Sequence, residues 1–390
     1  MIIPRAASAK LKEMSETMPV VTVYGPRQSG KTTLVKQLFP DFSYANLEYP
    51  AQRDLALRDP EAFFSRYPAP AIIDEVQRVP DLLSYIQVKV DESGKNGQYI
   101  LTGSHQPVLR AKVSQSLAGR TAILTLLPLS LDELTAAGRT FAMEEIVAKG
   151  FLPRIHAGRI SSFDVYEDYY RTYVERDVRQ LVMVENQHSF EVFVRLLAGR
   201  VGQLVNLESM SSDVGVSAHT LRKWLSVLEA SYIVFRLQPF HVNIGKRLVK
   251  TPKVYFSDVG LAAHLLGIGS GAQVLRDPLV GGLFENLVVA EAMKWRYNGR
   301  RAEEFCFFRD SNGLEVDLVM EAARRLHLIE VKCAMTPNRS LERGIGRVAA
   351  VTAALSKTIV YRGEAFPIAG GGGYVNFGNL AARLDELAIS

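Results

Sequence analysis

The sequence predicts an α/β fold, and three observations carry that expectation. An apolar run at 20–24 leads into Gly25-Pro26-Arg27-Gln28-Ser29-Gly30-Lys31-Thr32 and on into a helix-forming segment. Further apolar strands follow at 71–73 and 98–103, with helical stretches between them. A second strand-bearing region returns towards the C-terminus, at Glu315-Val316-Asp317 and Leu328-Ile329-Glu330-Val331-Lys332.

The first loop fits the pattern G-x-x-x-x-G-K-[ST]. Its backbone N–H groups must close around a β-phosphate, which glycine permits by adopting dihedrals that a Cβ forbids. Lys31 would reach the β- and γ-phosphates and Thr32 would offer its hydroxyl to Mg²⁺. Thr33 and the residues after it continue as a helix whose N-terminal dipole favours the anion. The spacing therefore predicts a nucleoside triphosphate site. The strand Ala71-Ile72-Ile73 ends in Asp74 and Glu75, and behind such a loop the pair has a ready chemistry: Asp74 would hold Mg²⁺ through water, and Glu75 would polarise the attacking water. The strand at 98–103 runs into Ser104, a candidate γ-phosphate sensor at its tip. A helix at about 107–118 ends near Arg120, which cannot easily reach its own nucleotide but could reach a neighbour's.

Composition narrows the classes. A chain of 390 residues with 47% hydrophobic content exceeds what one core usually serves, so two or three domains are expected. Its two cysteines, Cys306 and Cys333, form no C-x-x-C or Cys/His cluster, which argues against a disulfide framework or a zinc site. No run resembles a signal peptide or approaches the length that crosses a bilayer, so a cytoplasmic protein with no membrane partner is expected. The net charge of +5 is compatible with nucleic acid but modest for this length.

The phosphate loop, Ile72-Ile73-Asp74-Glu75, Leu101-Thr102-Gly103-Ser104 and Leu117-Ala118-Gly119-Arg120 before Leu127-Pro128-Leu129 resemble the AAA-type ATPases that carry a DUF4143 C-terminal region. That resemblance implies an AAA+-like ATP hydrolase core at 1–145 with ATP and Mg²⁺ as cofactors. It also implies Arg120 as a finger acting on the adjacent subunit of a homo-oligomer, up to a hexameric ring; the alternative for Arg120 is a structural salt bridge. Lys149-Gly150-Phe151-Leu152-Pro153-Arg154 resembles the turn that opens the family's helical lid, here 146–187, although Lys149 and Arg154 depart from the usual pattern. A periodic helix is expected at 164–183, with Arg171, Arg176 and Arg179 available as a second phosphate sensor.

From about residue 188 the pattern shifts to short helices. The segment 206–217 reads as a helix-turn-helix whose second helix starts from Ser217 and buries Leu221, Trp224, Leu225 and Leu228. His219, Arg222 and Lys223 would then face outward. Strands at 232–237 and 253–256, flanking a basic hairpin with Lys246 and Arg247, would complete a winged helix at 188–257 able to meet DNA; protein contacts alone are the competing use. In 258–390, Asp317 would end one strand while Glu330 and Lys332 share a face of the next, the arrangement a metal-dependent phosphodiesterase needs. This segment resembles the restriction-endonuclease-like PD-(D/E)xK fold, which implies a second metal site of Glu285, Asp317 and Glu330 with Lys332. Val316 replaces the usual proline, and an inactive remnant is the alternative. The expected function is an ATPase coupled to DNA binding or remodelling, on branched or broken DNA. A nucleotide-dependent switch that recruits a protein partner, and an ATP-licensed nuclease, are the other readings.

Overall fold

The computed structural model describes residues 2–104, 113, 115–158, 160–178, 187–240, 251–368 and 372–389. The chain divides into two compact units. The first comprises Met1–Leu129 with Ala230–Tyr232 and Tyr297–Arg300; the second comprises Ser130–Glu229, Ile233–Arg296 and Arg301–Ser390.

The first unit is built on a five-stranded sheet. Strands β1 (Val20–Gly25), β2 (Ser43–Asn46), β3 (Ala71–Asp74), β4 (Tyr99–Ser104) and β5 (Thr121–Thr125) lie in the order β2-β3-β4-β1-β5, and every pairing is parallel. Parallel strands need crossovers, and helices supply them, so both faces of the sheet are covered. Alternation along each strand shows this directly. Val20, Ala45, Ile73 and Leu101 are buried in one apolar cluster, while Val21, Val23, Ile72, Ile100 and Leu124 are buried in the other. The order sets β4 between β1 and β3, so the C-terminal ends of these three strands open at one edge of the sheet, where α/β folds bind ligands.

The second unit contains a sheet of order β12-β13-β11-β10-β9-β8-β6-β7. Its strands are β6 (Val234–Pro239), β7 (Lys253–Phe256), β8 (Glu304–Arg309), β9 (Glu315–Ala322), β10 (Arg325–Val331), β11 (Ser356–Tyr361), β12 (Phe366–Pro367) and β13 (Gly373–Asn376). The two strands expected as a wing, β6 and β7, pair antiparallel with each other, and β6 also pairs with β8. The sheet thus runs across the 257/258 boundary drawn from sequence, because the end of β6 at Gln238 and Pro239 finds open edge groups on β8. The hairpin residues Lys246 and Arg247 lie outside the described residues. Before β6, the helix Leu207–Val214 is capped by Asn206 and the helix Ala218–Ala230 starts after Ser217, whose hydroxyl accepts the Thr220 N–H. Leu221, Trp224, Leu225 and Leu228 are buried.

The helix expected at 164–183 takes another form. An α-helix at Ser162–Tyr169 passes into a π-helix at Tyr170–Val178. The extra residue per turn shifts the register of the buried side chains, a change that a 3.6-residue period cannot reveal. Arg179 lies outside the described residues, as does the Arg176 side chain, and Arg171 is exposed and paired with Glu167.

Candidate functional site

Strand β1 delivers the phosphate loop, and two glycines give it its shape. A Cβ at Gly25 would lie 2.1 Å from the Leu126 carbonyl oxygen, so only glycine fits. Gly30, at φ +91°, turns the chain into the helix Lys31–Leu38 in a conformation that costs a side-chain-bearing residue energy. Pro26 and Ser29 are buried, Arg27 is half-buried, and Gln28 and Thr33 are exposed. Arg5 holds the loop from behind. Its buried guanidinium donates to the carbonyls of Ser29 (2.6 Å) and Leu127 (2.7 Å).

Lys31 is only 5% exposed and donates to the carbonyls of Gly25 (3.1 Å) and Pro26 (2.8 Å). Burial lowers its pKa to about 8, against the opposing pull of Glu75 and Asp74. Thr32 Oγ1 donates to Asp74 Oδ2 at 2.9 Å. Buried Asp74 also accepts the Tyr44 hydroxyl at 2.8 Å and the Thr102 hydroxyl, so three hydroxyl groups fix its position at the end of β3. Glu75 follows in a left-handed conformation, φ +58°, and its carboxylate accepts from the Gln77 amide. Gly103 and Ser104, at the tip of β4, pair with Tyr24 and Gly25 of β1; the Ser104 side chain lies outside the described residues. Arg120 is bound within its own chain, Nε and Nη2 donating to the two Asp91 oxygens at 2.6 and 2.8 Å.

This geometry fits a triphosphate accompanied by Mg²⁺. The Ser29 hydroxyl oxygen is fully buried and has no partner among the described residues, and Lys31 has only two carbonyls as acceptors. A hydroxyl beside a carboxylate, as Thr32 and Asp74 provide, is the oxygen donor set that Mg²⁺ takes.

In the second unit, Glu285, Asp317, Glu330 and Lys332 come into one electrostatic neighbourhood. Glu285 is carried by the helix Val280–Gly299, Asp317 by β9 and Glu330 by β10. Lys332 pairs with Glu330 at 2.7 Å. Burial first, and then the Asp317 charge, raise the pKa of both Glu285 and Glu330 to about 7. Sequence reasoning missed Lys253, Tyr255 and Glu315, which share this cluster. Lys253 is 2% exposed, with its ammonium 2.9 Å from Glu285 Oε1, 2.6 Å from Glu315 Oε1 and 3.5 Å from Asp317 Oδ1. Among the described residues no group of three or more His, Cys, Asp or Glu side chains is arranged to hold a metal ion. The exposed face of the helix Ala218–Ala230 carries His219, Arg222 and Lys223, with Arg222 3.4 Å from Glu208. No described helix is long and apolar enough to cross a membrane.

The sheet order, the loop after β1 and the acid-ended strand β3 together define an AAA-type P-loop ATPase. Comparison with known proteins agrees: an AAA domain matches residues 17–135, a domain of unknown function (DUF8612) matches 140–272, and another (DUF4143) matches 280–376. Uncharacterized proteins of Mycobacterium tuberculosis and Mycobacterium bovis are each 31% identical over 371 residues, covering 93% of this chain and 81% of theirs. The chain belongs to this family of AAA-domain ATPases with a C-terminal DUF4143 region. An uncharacterized protein of Haemophilus influenzae is 24% identical over 326 residues, covering 74% of this chain and 78% of its own length. Among solved structures, the Walker-type ATPase of Pyrococcus abyssi has a TM-score of 0.45 at 14% identity, over 67% of this chain and 94% of that one. AMPPCP-bound DnaA from Aquifex aeolicus has a TM-score of 0.30 at 13% identity, over 57% and 85%.

Proposed function

We propose that this chain hydrolyses ATP with Mg²⁺ and couples turnover to DNA through its C-terminal half. The observation that carries the ATPase reading is the meeting of Thr32 and Asp74 beside Lys31, at the mouth of a loop with an unpartnered buried hydroxyl. In this reading the Lys31 ammonium leaves the carbonyls of Gly25 and Pro26 for oxygens of the β- and γ-phosphates. Glu75 orients the attacking water and accepts its proton, Ser104 senses the γ-phosphate, and Arg120 of one subunit completes the site of the next. Thr32 and Asp74 would hold Mg²⁺, which when bound would supply positive charge against that developing on the phosphate oxygens. The cationic and polar face of His219, Arg222 and Lys223 supports a nucleic-acid contact, with Lys246 and Arg247 added from the sequence.

One observation favours a second reading. Glu75 is tied to Gln77 and Lys31 is turned back on its own loop, which suits a slow switch that holds a conformation and recruits a protein. An ATPase assay across duplex, forked and single-stranded DNA separates the two. Turnover that rises with one DNA form, and vanishes in Lys31→Ala, supports coupling to DNA. A slow rate indifferent to every form supports the switch. No hydrolysis and no nucleotide binding by the wild type would remove both.

A further inference from the structure

Two of the three acids expected to gather around a divalent ion, Glu285 and Asp317, converge together with Glu315 on a cation that the chain itself supplies, while Glu330 pairs with Lys332. Lys253, on β7, sends its ammonium into a pocket of carboxylates from the helix Val280–Gly299 (Glu285) and from β9 (Glu315, Asp317). Its three N–H donors thus face three carboxylates, at 2.6 to 3.5 Å. The Glu285 and Glu315 contacts, at 2.9 and 2.6 Å, are charge-assisted hydrogen bonds, and Asp317, at 3.5 Å, completes the ion-pair cluster.

The surrounding groups hold the same arrangement. Tyr255, two residues along β7 and so on the same face, donates its hydroxyl to Glu285 Oε1 at 2.6 Å. Asp317 Oδ2 accepts the Val331 N–H at 2.9 Å, and Glu315 Oε2 accepts from Arg309 at 2.9 Å. The Phe307 ring lies 5.5 Å from the Lys253 ammonium. Among the described residues, Glu330 Oε2 alone is buried without a partner in this cluster, and a single open oxygen does not make a divalent site.

We infer that the Lys253 ammonium occupies the position a divalent cation would need, so that Glu285, Glu315 and Asp317 form a metal-independent ion-pair core and not a metal-dependent cleavage centre. The inference is independent of the nucleotide site. Charge and space both support it: a divalent ion at this position would have to displace an ammonium that is 2% exposed and already faces three carboxylates, leaving that cation without its partners.

Mn²⁺ titration of the full chain without nucleotide, followed by electron paramagnetic resonance, tests it. The wild type is expected to bind no Mn²⁺ that Asp317→Asn removes, up to millimolar concentration. Lys253→Met keeps the length of the stem and removes the charge, and is expected to gain a Mn²⁺ site with a dissociation constant at least about tenfold below that millimolar limit, lost again in Lys253→Met/Asp317→Asn. Wild-type Mn²⁺ binding abolished by Asp317→Asn would overturn the inference, as would metal-dependent DNA nicking lost in that variant. A folded Lys253→Met chain that gains no Mn²⁺ would overturn it too. Should Lys253→Met fail to fold, the wild-type titration alone decides.

Discussion

The Tyr44 hydroxyl donates to Asp74 Oδ2 across 2.8 Å, joining the middle of β2 to the acid that ends β3. Asp74 needs such partners because it is buried, and a buried carboxyl group without hydrogen-bond donors carries an uncompensated desolvation cost. Tyr44 is therefore a positioning residue for the acid proposed to hold Mg²⁺. Tyr44→Phe removes one hydrogen bond to a charged group while keeping the ring, and the hydrogen bonds from Thr32 and Thr102 remain. Turnover should fall about tenfold, equal to about 1.4 kcal/mol of transition-state stabilisation. The Mg²⁺ concentration for half-maximal rate should rise while nucleotide binding without Mg²⁺ stays unchanged. A purely structural role would lower the melting temperature and leave the Mg²⁺ dependence as it was.

Gln77 and Glu75 give a second outcome. The Gln77 amide engages the Glu75 carboxylate, which leaves the proposed general base occupied. Gln77→Ala should raise the basal ATPase rate several-fold if release of Glu75 limits turnover. Glu75→Gln should bind ATP and turn over at least about a hundredfold more slowly, within the range that loss of a general base produces. Steady-state rates and a nucleotide-binding titration on the two variants check both. Equal turnover by Glu75→Gln and wild type would remove Glu75 from the role.

These positions also mark how far the sequence could be read. Gly25 to Thr32 and Asp74-Glu75 were legible because their chemistry is local: a strand, a tight loop and a helix start within a dozen residues, and an acid pair at a strand end. Arg5, Tyr44 and Thr102 were not, because each acts on a group far along the chain, and an arginine near a terminus or a tyrosine on a short strand has no local signature. The second unit shows the same limit. Glu330 and Lys332 were legible as a same-face pair on one strand, whereas Lys253 reads as one more basic residue beside a hairpin. Only the pairing that brings β6 and β7 into the C-terminal sheet puts its ammonium among Glu285, Glu315 and Asp317.

Lys31 makes nucleotide binding pH-dependent in a stated direction. Burial lowers its pKa to about 8, so near that pH the nucleotide-free protein is half neutral at this position. A polyphosphate in contact with the ammonium restores the charge, so binding should take up about half a proton at pH 8 and almost none near pH 6.5. Above pH 8 the affinity should fall with rising pH. For folding the sign is opposite: between about 8 and the ordinary 10.5 the unfolded chain holds the extra proton, so the nucleotide-free fold gains stability as pH rises through that window. Calorimetry in buffers of different ionisation enthalpy measures the proton count directly. Uptake that is unchanged in Lys31→Ala, for whatever binding remains, would assign the proton elsewhere.

Arg120 grips Asp91 of its own chain with two nearly parallel hydrogen bonds, yet the pair is partly exposed, where ion pairs add little to stability. In the proposed role Arg120 would give up this contact, at little cost, to serve a neighbouring subunit. Arg120→Ala should then keep its fold and its ATP affinity but lose at least about a hundredfold in turnover, as arginine fingers do. Complementation distinguishes a finger from a surface salt bridge. Glu75→Gln retains Arg120, and Arg120→Ala retains Glu75, so neither alone has a complete site. In a head-to-tail assembly of both, about one interface in four joins an intact Glu75 to an intact Arg120. Mixing the two inactive variants should therefore restore about a quarter of the wild-type rate, and Asp91→Asn should leave the rate near wild type. Full activity of Arg120→Ala, or no recovery on mixing chains shown to co-assemble, would reduce Arg120 to its pairing with Asp91.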